Sequence, residues 1–102
     1  MARLIEVEDA PACPSPLTVR AGDVILFRAG GGRVRSGGDV IELSGAFLTA
    51  VVGTDGAIVT PAGPPDTVLF RAQRSGRAAI DVITGHPFHA ARTTHVEIAV
   101  ES

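Results

Sequence analysis

Apolar and polar side chains alternate along most of this chain, and this period of two constrains the fold more than any other feature. The C-terminal segment 96–101, for example, reads Val-Glu-Ile-Ala-Val-Glu. Such alternation places successive side chains on opposite faces of a β-strand. No window of ten or more residues carries the 3.6-residue period of an amphipathic helix. The sequence therefore predicts an all-β protein.

Turn residues divide the chain into short segments. Glycine-containing turns at 21–23, 36–39, 53–56 and 74–76 separate the β-rich stretches. Turn signals about every 8–12 residues are typical of a β-sandwich or small barrel. A chain of 102 residues is the size of one domain. We predict one domain over residues 1–102, an immunoglobulin-like antiparallel β-sandwich of seven to eight strands.

Two features suggest where the strands lie. Three prolines, Pro11, Pro14 and Pro16, stand between the first two β-rich stretches, which suits an edge or a kink where the chain changes sheets. The strand expected at 24–28 is apolar on both faces over residues 24–27, as in a buried central strand. The residues expected in the core include Leu4, Val24, Leu26, Phe70, Ile80, Val82, Val96, Ile98 and Val100.

Charge and composition argue against several classes of protein. The net charge is -2 and the isoelectric point is about 5.8, whereas nucleic-acid binders usually carry a basic surplus. The longest apolar stretches fall far short of the ~20 residues of a membrane span. Because the arginines are interspersed with acids, we expect a solvated mixed surface, an anion-binding face being the alternative. These arginines are Arg28, Arg33, Arg35, Arg71, Arg74, Arg77 and Arg92.

Nothing in the sequence indicates a catalytic centre. The single cysteine, Cys13, has no neighbouring base or cation in sequence to activate it. The glycines at 30–32 are not followed by the Lys-Ser/Thr of a phosphate-binding loop. We therefore expect no enzymatic activity. A lone cysteine and an N-terminus without a secretory signal pattern favour the cytoplasm.

Three histidines form the pattern His86-x2-His89-x5-His95. Three imidazoles are the ligand set of zinc sites that keep one position open. Against this, His86 and His89 fall in a loop, His95 should start a strand, and no nearby acid offers a second-shell hydrogen bond. We expect solvated histidines with no metal or cofactor, and keep a metal- or ligand-binding protein as an alternative.

Long connections are the remaining candidates for function. Three are expected, at 29–39, 60–66 and 85–94. Alternate connections of a sandwich emerge at the same end, so these three could form one binding surface. Within the last, Pro87 stiffens a turn that presents Phe88. This phenyl ring either anchors a partner or caps the open end of the core.

The order of these features resembles the chagasin-like inhibitors of papain-type cysteine proteases, which have an immunoglobulin-like fold. The resemblance covers roughly residues 17–101. Residues 17–24 are similar to the family's first extended segment and turn, and residues 67–80 resemble its strand–turn–Gly–strand pair. Gly85-His86-Pro87-Phe88 stands where the family has an Arg-Pro-Trp type motif. The resemblance lies in the scaffold, since most of the family's loop motifs have no counterpart in this chain.

The resemblance implies that three loops from one end enter a protease cleft without being cleaved. Their positions in this chain include Gly31, Gly32, Arg33, Gly63, Pro64, Pro65, His86, Pro87 and Phe88. The sequence thus predicts a non-catalytic protein-binding domain, monomeric or homodimeric, with a papain-type protease as the implied partner and neither nucleic acid nor membrane. The alternatives are the histidine-dependent metal or ligand binder and an oligomeric structural module.

Overall fold

The computed structural model describes residues 3–7, 13–47, 51–52, 56, 58–59, 66–85 and 91–102. The strands are β1 (Leu4–Val7), β2 (Leu17–Arg20), β3 (Val24–Phe27), β4 (Gly31–Ser36), β5 (Ile41–Phe47), β6 (Val51–Val52), β7 (Ile58–Val59), β8 (Thr67–Ala72), β9 (Gly76–Thr84) and β10 (Arg92–Glu101). Within these described ranges, no helix is long and apolar enough to cross a membrane.

Two four-stranded sheets form a sandwich. The first sheet has the order β1-β3-β8-β5, and the second has the order β2-β10-β9-β4. These orders correspond to the A-B-E-D and G-F-C sheets of the immunoglobulin fold, with β2 added beside strand G. Strands β6 and β7 form a separate two-stranded hairpin, as the turn at 53–56 indicates. The predicted immunoglobulin-like β-sandwich is therefore confirmed.

The N-terminal segment crosses from one sheet to the other. Strand β1 pairs in parallel with β3, and β2 pairs in parallel with β10. Pro14 and Pro16 stand between them, where the sequence predicts an edge or a kink that changes sheets. The other strand pairs are antiparallel. The proline-containing segment thus supplies an edge strand to each sheet.

The core lies between the inner faces of the two sheets. Phe27 and Phe70 meet edge to face near its centre, with ring centroids 5.8 Å apart and an angle of 87° between the ring planes. Burying a side chain of this size stabilises a fold by about 1.5–3 kcal/mol. The surrounding buried apolar residues are Val19, Ile25, Ala29, Val40, Ile41, Val68, Ala72, Ala78, Ile80, Val82, Val96, Ile98 and Val100.

Three of the expected core residues are not in the core. Leu4 is 57% exposed, and Val24 and Leu26 are half-buried on the outer face of the first sheet. Ile25 and Phe27 occupy the inner face instead. A strand that is apolar on both faces gives no alternation to show which face points inward, and a change of one residue exchanges the faces.

Two of the expected long connections are shorter than predicted. Most of the segment 29–39 is strand β4, whose Gly32 packs closely on the core. A Cβ at this position would lie 2.8 Å from the ring of Phe70. Strand β10 begins at Arg92 rather than His95. Gly31 and Gly32, expected within the connection 29–39, therefore lie in a strand, and Gly32 is required there because any side chain would clash with Phe70.

Candidate functional site

Backbone hydrogen bonds bring the bases of three connections together at one end of the sandwich. The β3–β4 connection spans residues 28–30. The N–H of Ala29 donates to the carbonyl of Asp66 at 3.0 Å, and that of Gly30 donates to Ile83 at 2.9 Å. The N–H of Asp66 in turn donates to Phe47 at 2.9 Å. Since Phe47 and Asp66 flank segment 48–65, and Ile83 lies near the end of β9, all three connections start at this end.

The predicted binding residues divide into two groups. Gly31, Gly32 and Arg33 lie in strand β4, where they pair with Ile83, Val82 and Asp81. Their expected position in a loop is therefore corrected to a strand that begins at this end. The other six lie outside the described residues. They are Gly63, Pro64, Pro65, His86, Pro87 and Phe88. The binding role of both groups stays a prediction.

A second candidate lies on the outer face of the second sheet, around the side chain of Asp81. Strand pairing places Arg33 of β4 and His95 of β10 opposite it on either side. Nε of Arg33 donates to Oδ2 of Asp81 at 2.7 Å, and Nδ1 of His95 donates to Oδ1. Nε of Arg35 lies 3.7 Å from Oδ1. We call Asp81, Arg33, Arg35 and His95 the Asp81 cluster.

The Asp81 cluster has a buried centre and an exposed rim. Asp81 has no exposed side-chain surface, whereas the side chains of Arg33, Arg35 and His95 are 71%, 49% and 63% exposed. Burial by itself would raise the pKa of Asp81. The hydrogen bonds from Arg33 and His95 and the charges of Arg35 and His95 outweigh burial, so the pKa lies below its usual value. The carboxylate therefore stays ionised beneath the three side chains.

Sequence reasoning missed this cluster as a unit. The alternation predicts that Asp81 points away from the core, which is correct, but the cross-strand side chains cover it. Its partner Arg33 is 48 positions away and His95 is 14 positions away. The one local signal is a carboxylate within the apolar stretch 80–83 of β9. A charged residue in such a stretch usually has a partner, since an unpaired buried charge is costly.

A groove of about 310 Å³ lies beside the Asp81 cluster. Its outer-face lining comes from Ser36, Arg77, Ala79 and Glu97. Strand pairing places Ser36 and Glu97 on either side of Ala79, where β4 has an irregularity in register. Because the side chain of Ala79 is small, space remains above it. The hydroxyl of Ser36, the guanidinium of Arg77 and the carboxylate of Glu97 surround this space.

Only one of the three histidines considered as metal ligands, together with Cys13, lies among the described residues. His86 and His89 lie outside the described residues, and His95 uses Nδ1 in the Asp81 cluster. The part of the chain that the structure describes contains no group of three or more His, Cys, Asp or Glu residues that could hold a metal ion. Burial raises the pKa of the Cys13 thiol, which is the opposite of what a nucleophile needs.

Comparison with solved structures shows that this architecture occurs in another protein. The cysteine protease inhibitor EhICP2 from Entamoeba histolytica matches with a TM-score of 0.56 over 98% of this chain and 97% of that one. The two proteins share their overall fold. Sequence identity is 12%, so the likeness concerns the fold, and it bears out the scaffold resemblance seen in the sequence.

The solution structure of amebosin also matches, over 95% of this chain and 97% of that one, with a TM-score of 0.49 and 13% identity. No protein-family model and no curated protein sequence matches this chain. The site must therefore be interpreted from its own residues.

Proposed function

We propose that this chain is a non-catalytic protein-binding domain that inhibits papain-type cysteine proteases. The observation that carries the proposal is the full-length likeness of the fold to a cysteine protease inhibitor. The inhibitory surface is the end of the sandwich from which the β3–β4, β5–β8 and β9–β10 connections emerge. These connections would enter the protease cleft, exclude water from it and block access of substrate.

Backbone constraint at this end supports a binding role. The hydrogen bonds of Ala29 to Asp66 and of Gly30 to Ile83 hold the β3–β4 connection to its neighbours. In the two longer connections, Pro64, Pro65 and Pro87 restrict the backbone of the free chain. Constraint before binding lowers the conformational entropy lost on binding, which increases affinity.

Phe88 is the proposed apolar anchor. It follows Pro87 in the β9–β10 connection and is one of four phenylalanines in the chain. Burying a phenyl ring in a partner pocket contributes up to roughly 2–3 kcal/mol, and aromatic residues are common among those that dominate binding energy. A loss of about 2 kcal/mol corresponds to roughly a thirtyfold weaker complex.

The direct test is a titration of the full chain against papain and one cathepsin-like protease, with residual protease activity as the readout. We expect stoichiometric inhibition and a dissociation constant near the nanomolar range, as in other tight protease–inhibitor pairs. Phe88→Ala should weaken inhibition roughly thirtyfold. Leu4→Ala is the matched control, because Leu4 is exposed and pairs with Val24 at the opposite end of β3 from the connections.

Each outcome of this titration decides a separate point. No inhibition of either protease at micromolar concentrations would mean that this chain shares only the scaffold of the inhibitors. Inhibition that Phe88→Ala leaves unchanged would remove Phe88 from the interface while retaining the inhibitor proposal. Equal weakening by Leu4→Ala and Phe88→Ala would mean that the effect of Phe88→Ala does not come from a contact specific to the proposed end.

A further inference from the structure

Among the described residues, two aspartates are fully buried, and their hydrogen-bond partners differ. Asp23 accepts hydrogen bonds from the backbone N–H groups of Arg3 and Arg20 as well as from a side chain. It therefore fixes the course of the chain. Asp81 is bound by side chains alone, those of Arg33 and His95, with Arg35 beside it. Its effect is to orient cationic groups on an exposed sheet face.

The exposed groups of the Asp81 cluster have unused hydrogen-bonding capacity. Arg33 donates to Asp81 through Nε, and the described residues offer no hydrogen-bond partner to its two Nη atoms. Arg35 is held by the charge of Asp81 and places Nη1 3.2 Å from Nδ1 of His95. A guanidinium with free Nη atoms donates two parallel hydrogen bonds to a carboxylate. Arg33 therefore offers the geometry that recognises a planar oxyanion.

Charge balance limits what this face can bind. Around the cluster and the adjoining groove, the cations are Arg33, Arg35 and Arg77, and the anions are Asp81 and Glu97. Among these five groups, the three guanidiniums outnumber the two carboxylates by one positive charge. Such a surface attracts one negatively charged group, while Glu97 disfavours a dense polyanion such as nucleic acid. The groove at Ala79 provides room for an uncharged part of the same ligand.

We propose that Arg33 and Arg35, held in position by Asp81, bind a single side-chain carboxylate of a partner protein segment, whose uncharged neighbouring residues occupy the groove at Ala79. Positioning by Asp81 reduces the side-chain entropy lost on binding. The proposal does not depend on protease inhibition. Asp81 precedes Thr84, the last residue of β9, by three positions, which places the cluster about 10 Å from the end that carries the connections.

The test uses the full-length ¹⁵N-labelled chain and two capped peptides, acetyl-Gly-Glu-Gly-amide and the neutral acetyl-Gly-Gln-Gly-amide, followed by NMR chemical shifts. We expect the glutamate peptide to give saturable shifts confined to β4, β9 and β10, in the millimolar range typical of one short contact. The glutamine peptide should give none. The two peptides have the same shape, so the difference between them reports the carboxylate.

Matched variants assign the binding to the two arginines. The double variant Arg33→Lys with Arg35→Lys keeps two cations beside Asp81 but lacks the guanidinium geometry, so affinity should fall about tenfold. Its own spectrum reports whether it is folded. Arg74→Lys, in the exposed β8–β9 turn, should leave affinity unchanged.

Three results would overturn the proposal. They are equal shifts with the glutamine peptide, equal loss of affinity in Arg74→Lys, and saturation by inorganic phosphate at lower concentration than by the glutamate peptide. The last would assign the face to phosphate groups. Failure to inhibit proteases would leave this result unaffected, because the peptide titration contains no protease.

Discussion

Hydrogen bonds from Arg3 to Asp23 hold the start of β1 against the turn between β2 and β3. Nη2 of Arg3 donates to Oδ2 of Asp23 at 2.8 Å, and its backbone N–H donates to Oδ1 at 3.2 Å. The N–H of Arg20 donates to Oδ2 at 2.8 Å. The side-chain hydrogen bond from Arg3 is the main cause that lowers the pKa of Asp23 to about 2, against the opposing effect of burial. A single carboxylate thus joins the edge strands of both sheets.

The hydrogen bonds of Asp23 predict that the free energy of unfolding falls in acid. The pKa of Asp23 is about 2 in the folded chain and about 3.9 in an unfolded one. Its stabilising contribution is therefore present above about pH 4 and is lost as the pH falls towards 2. Asp23→Asn should lower the free energy of unfolding by about 1–3 kcal/mol at pH 6, and the gap from the unmodified chain should narrow below pH 4. Urea unfolding across this pH range measures the gap.

The exposed Asp39→Asn is the control for this experiment, since Asp39 lies in the turn before β5. It should change stability little at any pH in the range. A constant gap for Asp23→Asn between pH 6 and pH 2 would show that ionisation of Asp23 does not stabilise the fold.

Two neighbouring glycines in the β4–β5 turn should respond differently to alanine. Gly37 has a φ of +78°, and a Cβ there would lie 2.6 Å from the carbonyl oxygen of Arg77. Gly38 has no atom within 4 Å of the corresponding position. Gly37→Ala should destabilise the chain by more than about 1 kcal/mol through backbone strain and the clash. Gly38→Ala should be neutral or slightly stabilising, because alanine reduces the entropy of the unfolded chain.

Thermal unfolding of the two glycine variants side by side measures this contrast. The composition change is the same in both, so only the position differs. Equal melting temperatures would mean that the turn adapts its backbone at Gly37 without cost.

Removal of the central aromatic contact should be the most damaging core change. Phe70→Ala deletes a fully buried ring that packs on Phe27, which costs about 3–5 kcal/mol. Phe47→Ala removes a ring that is 48% exposed and should cost about 1 kcal/mol. Chemical denaturation of both variants tests the difference, and similar losses would contradict the placement of the core around Phe27 and Phe70.

The thiol of Cys13 should react slowly. It is half-buried, and burial raises its pKa, so less thiolate is present at a given pH than in an unfolded chain. We expect iodoacetamide to alkylate the folded chain at pH 8 more slowly than the same chain in urea. Faster alkylation of the folded chain would instead indicate an activated thiol.

Local sequence patterns predicted the strands but not every inward face. The alternation in β9 and β10 correctly places Ile80, Val82 and Ile98 in the core. In β3 the pattern fails, because Val24 and Leu26 are as apolar as Ile25 and Phe27. Packing against the second sheet decides which face of β3 points inward, and the register with β8 aligns Ile25 and Phe27 with buried residues of that strand.

The glycines at 30–32 also show that a local sequence pattern does not fix the structure. Their sequence is typical of a flexible connection, and the structure places two of them in β4. Glycine at 32 allows the strand to pass close to Phe70. A lack of side chain has two physical uses, flexibility and close approach, and the sequence cannot distinguish between them.

The sequence by itself determined the all-β class, the hairpin of β6 and β7, and the proline-containing break between the first two strands, because period two, turn residues and prolines act on the local backbone. Only the tertiary structure decided that Asp81 meets Arg33 and His95, and that the bases of three connections lie at one end. These contacts depend on the register between strands that are distant in the chain. Register is fixed by the packing of whole faces, which no short stretch of sequence contains.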